Sequence, residues 1–240
     1  MFFFTSSKKI SDSGLLNGYT DYHCHLLPGV DDGSQKMSHT LRLLKMMKEQ
    51  GVEHVWFTPH IMEDMPNEPQ QLREVFDQVM KELEGHPSIV SWIGKLSLAA
   101  ENMLDNNFSF ERAKQLSLPD NHILVETSYF TPPYNLQGKI NDIMTAGMYP
   151  MLAHPCRYQY MNEKDYESWR AKRVHFQLNL PAACGLYGKD VQKKAFWLLD
   201  NGYYSVTGTD THSIHGYQGF LDAKLPRKRI EQIERLIHLA

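Results

Sequence analysis

Two histidines one residue apart, His23 and His25, open a stretch that runs through Pro28-Gly29 to two adjacent carboxylates, Asp31 and Asp32. On a short strand over residues 20–25, alternation sends both imidazoles to one face. The Pro-Gly turn then folds the chain back, so that one of the two aspartates can approach them. Neutral imidazoles with a carboxylate make a ligand set for a borderline divalent metal. The same residue types return further along: His60 in Thr58-Pro59-His60, Glu101 in Ala100-Glu101-Asn102, His154 in His154-Pro155-Cys156-Arg157, and Asp210 with His212 in Gly208-Thr209-Asp210-Thr211-His212. So many mixed donors exceed one tetrahedral site and suit two or three ions, bridged by Glu101 or Asp210. Arg157, in the loop of His154, adds a guanidinium that can clamp a phosphate bidentately. The chemistry these residues imply is phosphoester hydrolysis by metal-activated water, with Arg157 and the metals neutralising charge on the phosphoryl oxygens. A thiolate route is excluded on spacing, because Cys24, Cys156 and Cys184 lack an arginine at the distance a phosphate-cradling loop requires.

Each donor needs an element to place it. Apolar periodicity predicts helices over 38–50, 72–83, 136–146, 165–172, 191–199 and 230–239, several closed by Gly or Asn-Gly. Runs rich in branched and aromatic residues predict strands over 20–25, 52–58, 122–126, 149–153, 174–178 and 203–207, with further strand material in 89–100. Residues 105–119 read as a polar connection. Alternating β and α elements imply a parallel sheet with helical crossovers. An open doubly wound sheet and a closed barrel both satisfy the pattern, and strand number and length favour a TIM-like barrel with fewer than eight strands. His23 and His25, His60, Glu101, His154, and Asp210 with His212 each follow a predicted strand. In parallel β/α folds those carboxyl ends share one face, so donors scattered along the chain converge. His39, His54, His86, His122, His175, His215 and His238 fall away from these strand ends and read as structural or surface residues. Cys24 is expected to point away from its neighbours and pack as a small apolar side chain.

Composition narrows the class. The chain has 240 residues with 42% hydrophobic content, enough to bury a core, and a formal net charge of −3. That charge provides no basic field for duplex nucleic acid. Three cysteines form no disulfide framework and suit a reducing compartment. Phe2-Phe3-Phe4 is too short for a signal-peptide core, and no apolar run reaches bilayer-spanning length. A cytoplasmic location without membrane insertion is expected. Residues 1–18 read as a poorly ordered N-terminal arm with an apolar Phe triplet available to pack on the domain, and 19–240 as a single domain.

Taken together, the segments DYHCHLLPGVDDG, TPH, AEN, HPCR and GTDTH, in this order, resemble the polymerase and histidinol phosphatase (PHP) superfamily. Within it the chain is similar to the CpsB-type tyrosine phosphatases of bacterial capsule and exopolysaccharide loci. The resemblance implies a distorted (β/α)7 barrel and a polynuclear centre holding Mn first, with Fe or Zn as alternatives. By motif it implies metal ligation by His23, His25, Asp32, His60, Glu101, His154, Asp210 and His212, and phosphate binding by Arg157. Asp32 is preferred to Asp31 by the motif, since spacing leaves the two open. The chain departs from many relatives at Ile61 and Cys156. The implied substrate is phosphotyrosine on a protein, a membrane-associated tyrosine autokinase. The alternatives are a small-molecule phosphoesterase of the histidinol-phosphatase kind and a metal-bound interaction module without turnover. Tyr129, Phe130, Tyr134, Tyr158 and Tyr187 are candidates for an aromatic approach to the metals.

Overall fold

The computed structural model describes residues 6–239. Its strands are β1 (Ser7–Lys9), β2 (Thr20–Cys24), β3 (His54–Phe57), β4 (His60–Ile61), β5 (Leu96–Leu98), β6 (Glu101–Met103), β7 (His122–Glu126), β8 (Tyr149–Leu152), β9 (His175–Asn179), β10 (Tyr204–Gly208) and β11 (Lys224–Pro226). One parallel sheet runs β10-β9-β8-β7-β6-β4, and a second runs β2-β3-β5. β4 continues the line of β3 after Thr58-Pro59, and β6 continues β5 after Ala99-Ala100. Pro59 has no N–H to give to a ladder, which marks one of these breaks. Counted as continuous staves, β2, β3/β4, β5/β6, β7, β8, β9 and β10 form a seven-stave ring. The ring closes where Cys24 bridges Thr211 in parallel and the Asp210 N–H donates to the His23 carbonyl at 2.7 Å. The structure is therefore the distorted (β/α)7 barrel expected, broken in two staves.

Helices cover the outside through apolar faces. Met37–Glu49 buries Thr40, Leu43, Leu44 and Met47, and Pro69–Leu83 buries Leu72, Val79 and Leu83. The first set follows the i, i+3, i+4, i+7 rule, and half-buried Val75 and Phe76 complete the same pattern in the second. A separate apolar cluster of Ala99, Leu118, Leu124, Met151 and Ala153, packed with Tyr22, Trp56 and Val206, draws on staves from different sides of the ring and so fills its interior.

One expectation needs correction. Residues 6–18 are not a loose arm: β1 pairs antiparallel with β11, and Ile10, Leu15 and Leu16 are buried. The Phe triplet lies outside the described residues. The strand material expected in 89–100 is Leu96–Leu98, which pairs with β3, while Val90–Lys95 is a 3-10 helix. A short apolar run does not tell helix from strand by period alone. Helix Ile214–Asp222 was not anticipated. Gly216 and Gly219 depress its propensity, while Ser213 caps it by accepting from the Gly216 N–H at 3.0 Å. Among the described residues no helix is long and apolar enough to cross a membrane.

Candidate metal centre

The donors meet at the carboxyl ends of the staves. His23 Nε2 stands 3.0 Å from His25 Nε2 and 3.1 Å from Glu101 Oε2. His25 Nε2 is 3.3 Å from the same Glu101 oxygen and 3.4 Å from Asp210 Oδ1. His154 Nε2 reaches the other Glu101 oxygen at 3.0 Å. On the outer side, Asp32 Oδ1 lies 3.5 Å from His60 Nε2 and 3.4 Å from His212 Nε2. All the residues named from the sequence, His23, His25, Asp32, His60, Glu101, His154, Asp210 and His212, thus share one cluster. Three donor groups have ligand atoms close enough to share an ion: His25/Asp32/His60/His212, His23/His25/Glu101 and His60/Glu101/Glu126.

The surrounding residues fix which nitrogen faces inward. His23 donates Nδ1–H to Gln177 Oε1 at 2.6 Å, and His25 donates Nδ1–H to Asp31 Oδ2 at 2.8 Å. His212 donates Nδ1–H to the Asp210 carbonyl at 2.8 Å. Each Nε2 lone pair is left for the centre, the usual arrangement behind metal-bound histidine. Asp21, at the start of β2, accepts from the Thr209 N–H at 2.9 Å and the His23 N–H at 3.2 Å, tying β10's exit to the histidine strand. Two glycines permit the close approach. A Cβ on Gly208 would stand 2.5 Å from His23 Cβ, and one on Gly33 would stand 2.1 Å from the His25 carbonyl oxygen. His154 and Asp210 hold left-handed backbone, at φ 35 and 53, a strain that side-chain residues carry where a site requires it.

Electrostatics and unmet contacts test the fit of metal ions. Burial disfavours the charged forms of Glu101 and Asp210, but the surrounding histidines outweigh it and hold both below the usual carboxylate range. Burial likewise disfavours the His23 imidazolium, yet Glu101 and Asp210 bring its pKa up to about 9. The carboxylates therefore require positive charge among them. Protons cannot supply all of it, since two Nε2–H groups 3.0 Å apart, on His23 and His25, would repel. His60 Nδ1 and Glu126 Oε1 are buried without hydrogen-bond partners although 3.1 Å separates them. Buried polar atoms left this way are costly, and a shared cation satisfies both. The donor set fits divalent metals.

Glu126 was missed in the sequence, although it closes the strand over 122–126 as the other donors close theirs. His215, read there as a structural or surface residue, is exposed and lines the cavity above the cluster. Arg157 also faces that cavity, its Nη1 donating to Asp210 Oδ2 at 3.0 Å and its guanidinium lying between the Tyr129 and Tyr187 rings at 4.2 and 4.5 Å. Burial works against the Arg157 charge, but Asp210 outweighs it and raises the pKa. Of the proposed aromatic approach, Tyr129 and Tyr187 line the cavity, whereas Tyr158 does not. It is fully buried, donating its hydroxyl to the Ala153 carbonyl at 2.9 Å. Phe130 and Tyr134 are exposed outside the cavity lining. Cys156 and Cys184 are pushed up to about 12 by burial, which disqualifies them as thiolate nucleophiles.

The fold and site define a parallel β/α barrel whose strand carboxyl ends gather a His/carboxylate cluster fit for several metals. The family described as "Capsular polysaccharide synthesis, CpsB/CapC" matches residues 19–221, and the chain belongs to that family. It is 26% identical over 200 residues to the tyrosine-protein phosphatase YwqE of Bacillus subtilis, covering 81% of this chain and 77% of that protein. With the tyrosine-protein phosphatase CpsB of Streptococcus pneumoniae it shares 24% identity over 210 residues, 81% of this chain and 83% of the other. A crystal structure from work on YwqE and CpsB, described as unique metal-dependent tyrosine phosphatases, superposes with a TM-score of 0.71 at 22% identity, covering 92% of this chain and 94% of that one.

Proposed function

We propose that this chain is a metal-dependent phosphotyrosine-protein phosphatase acting in capsular or exopolysaccharide synthesis, with a tyrosine autokinase as its substrate. The observation that carries the reading is Arg157 facing the same cavity as a buried donor cluster fit for several metals. His23, His25, Asp32, His60, Glu101, His154, Asp210 and His212 would hold the ions, joined by Glu126. Bound there, divalent metals supply Lewis acidity toward phosphoryl oxygen and a water nucleophilic at neutral pH. Mn, Fe and Zn all suit such ligands.

The chain's own residues do the rest. Arg157 offers N–H donors to the equatorial oxygens and stabilises the charge that grows there during in-line displacement. Asp210 and the two phenol rings hold that guanidinium in place, so little reorganisation accompanies substrate binding. The relatives named as tyrosine-protein phosphatases support a phosphotyrosyl substrate. Purified chain is expected to dephosphorylate a phosphotyrosyl peptide faster than histidinol phosphate, to lose that activity in EDTA, and to regain it with Mn but not be affected by thiol alkylation. Turnover that survives EDTA would overturn the assignment.

A further inference from the structure

The cavity over the donor cluster is larger than phosphate chemistry needs, and one wall of it is apolar. Its volume is about 590 Å³, whereas roughly 150 Å³ holds a benzene-sized guest. Pro181, Leu186 and Tyr187 come from the connection after β9, and Gly216, Gly219 and Phe220 from the helix after β10. β9 and β10 are neighbours in the sheet, so these residues gather on one side of the cavity. The Tyr187 ring lies against the Arg157 guanidinium at 4.5 Å, which joins the wall to the phosphate clamp. Leu186 and Tyr187 remain 48% and 38% exposed, apolar surface left open at a cavity mouth. Gly216 and Gly219 stand one helical turn apart, and a Cβ at Gly219 would meet nothing within 4 Å. Glycines weaken a helix, and at Gly219 the missing side chain leaves open space, whereas a Cβ at Gly216 would stand 3.2 Å from Ser213 Oγ.

We infer that this wall is an aryl-recognition subsite. With the phosphate on Arg157 and the donor cluster, the aromatic ring of the ester lies against Leu186 and Tyr187, over the turn from Gly216 to Gly219. The inference rests on the phosphatase reading and deepens it, because it assigns to named residues the choice of an aryl over an aliphatic phosphate ester. A serine phosphate carries too little apolar surface to use the wall. Burying one ring there corresponds to roughly tenfold or more in affinity.

Two phosphonates test it without turnover, since their P–C bond is not hydrolysed. Calorimetry on the Mn-loaded full chain should show benzylphosphonate binding about tenfold more tightly than methylphosphonate. Gly219→Leu fills the open space, and Leu186→Ser removes apolar contact without filling anything. Each should bring the benzyl-to-methyl preference toward unity and lower the ratio of kcat/KM for phosphotyrosyl over phosphoseryl peptide in parallel. The helical position of Gly219 accepts Leu without a clash, and thermal melts of both variants check that the fold is kept. Variants that retain the wild-type preference, or that weaken both phosphonates equally, overturn the aryl wall and leave the phosphatase reading standing. Wild-type chain without EDTA-sensitive turnover of the phosphotyrosyl peptide overturns that reading instead, while the phosphonate ratio still decides the wall.

Discussion

Asp31 and Asp32 are neighbours in sequence and take different places in the site. Asp32 points its carboxylate at His60 and His212. Asp31 is turned beneath the cluster, accepting from His25 Nδ1, from the Gly33 N–H at 2.9 Å and from the His60 N–H at 3.1 Å. Burial opposes its charge, yet His25 and these backbone donors hold its pKa down at about 2. Asp31 thus orients a ligand and raises its basicity without facing the centre itself. Asp31→Ala is expected to weaken metal affinity by about 10–100-fold, measured by metal titration of the chelator-stripped protein. An unchanged affinity would mean that the packing of the His25 ring alone sets its direction.

At the scale of elements, the segment before the first stave is part of the fold. β1 caps the strand β11 that precedes the last helix, and Leu15 and Leu16 are each 2% exposed beneath it. Lys9 pairs with Asp222 at 2.7 Å, but both are largely exposed, so little stability comes from that contact. The apolar side chains matter more. Leu16→Ala is expected to cost about 2–5 kcal/mol in a urea titration, the range for an emptied core leucine. A loss within the few tenths of a kcal/mol typical of surface sites would return this segment to the status of a loose arm. The same scale explains what the sequence left open. The 89–100 run is apolar enough for either a strand or a 3-10 turn, and packing of Trp92 and Ile89 into the core goes with the turn.

For the molecule as a whole, the centre is a concentration of charge inside a barrel. Glu101, Glu126 and Asp210 are buried together at its mouth. Ions that bind this arrangement bind the folded chain and not the unfolded one, so their removal must lower stability. At a metal concentration about 100 times Kd, the linkage is about 2.7 kcal/mol, and a chain of this size shifts its Tm by about 2–4 °C per kcal/mol. Scanning calorimetry should therefore show a fall of about 5–10 °C on chelation, reversed by Mn. An identical Tm with and without chelator would argue against ions being bound by these residues.

The sequence by itself determined the alternation of β and α elements, the parallel sheet, and the position of His or carboxylate residues at successive strand ends, while leaving an open sheet and a closed barrel both possible. Those features are local, because hydrophobic period and turn chemistry are written within a few residues. It also marked Arg157, through its place in the loop after His154. Tertiary structure alone decided which atoms meet. It separated Asp31 from Asp32, added Glu126 to the cluster, brought Gln177 and Asp21 behind His23, and buried Tyr158 while leaving Tyr187 on the cavity. It also folded residues 6–18 onto the barrel. Each of these depends on contacts between residues far apart in the chain, which no local pattern records. The opening HCHLLPGVDDG stretch supplies His23, His25 and Asp32, but only the closed ring sets Glu101, His154 and Asp210 against them.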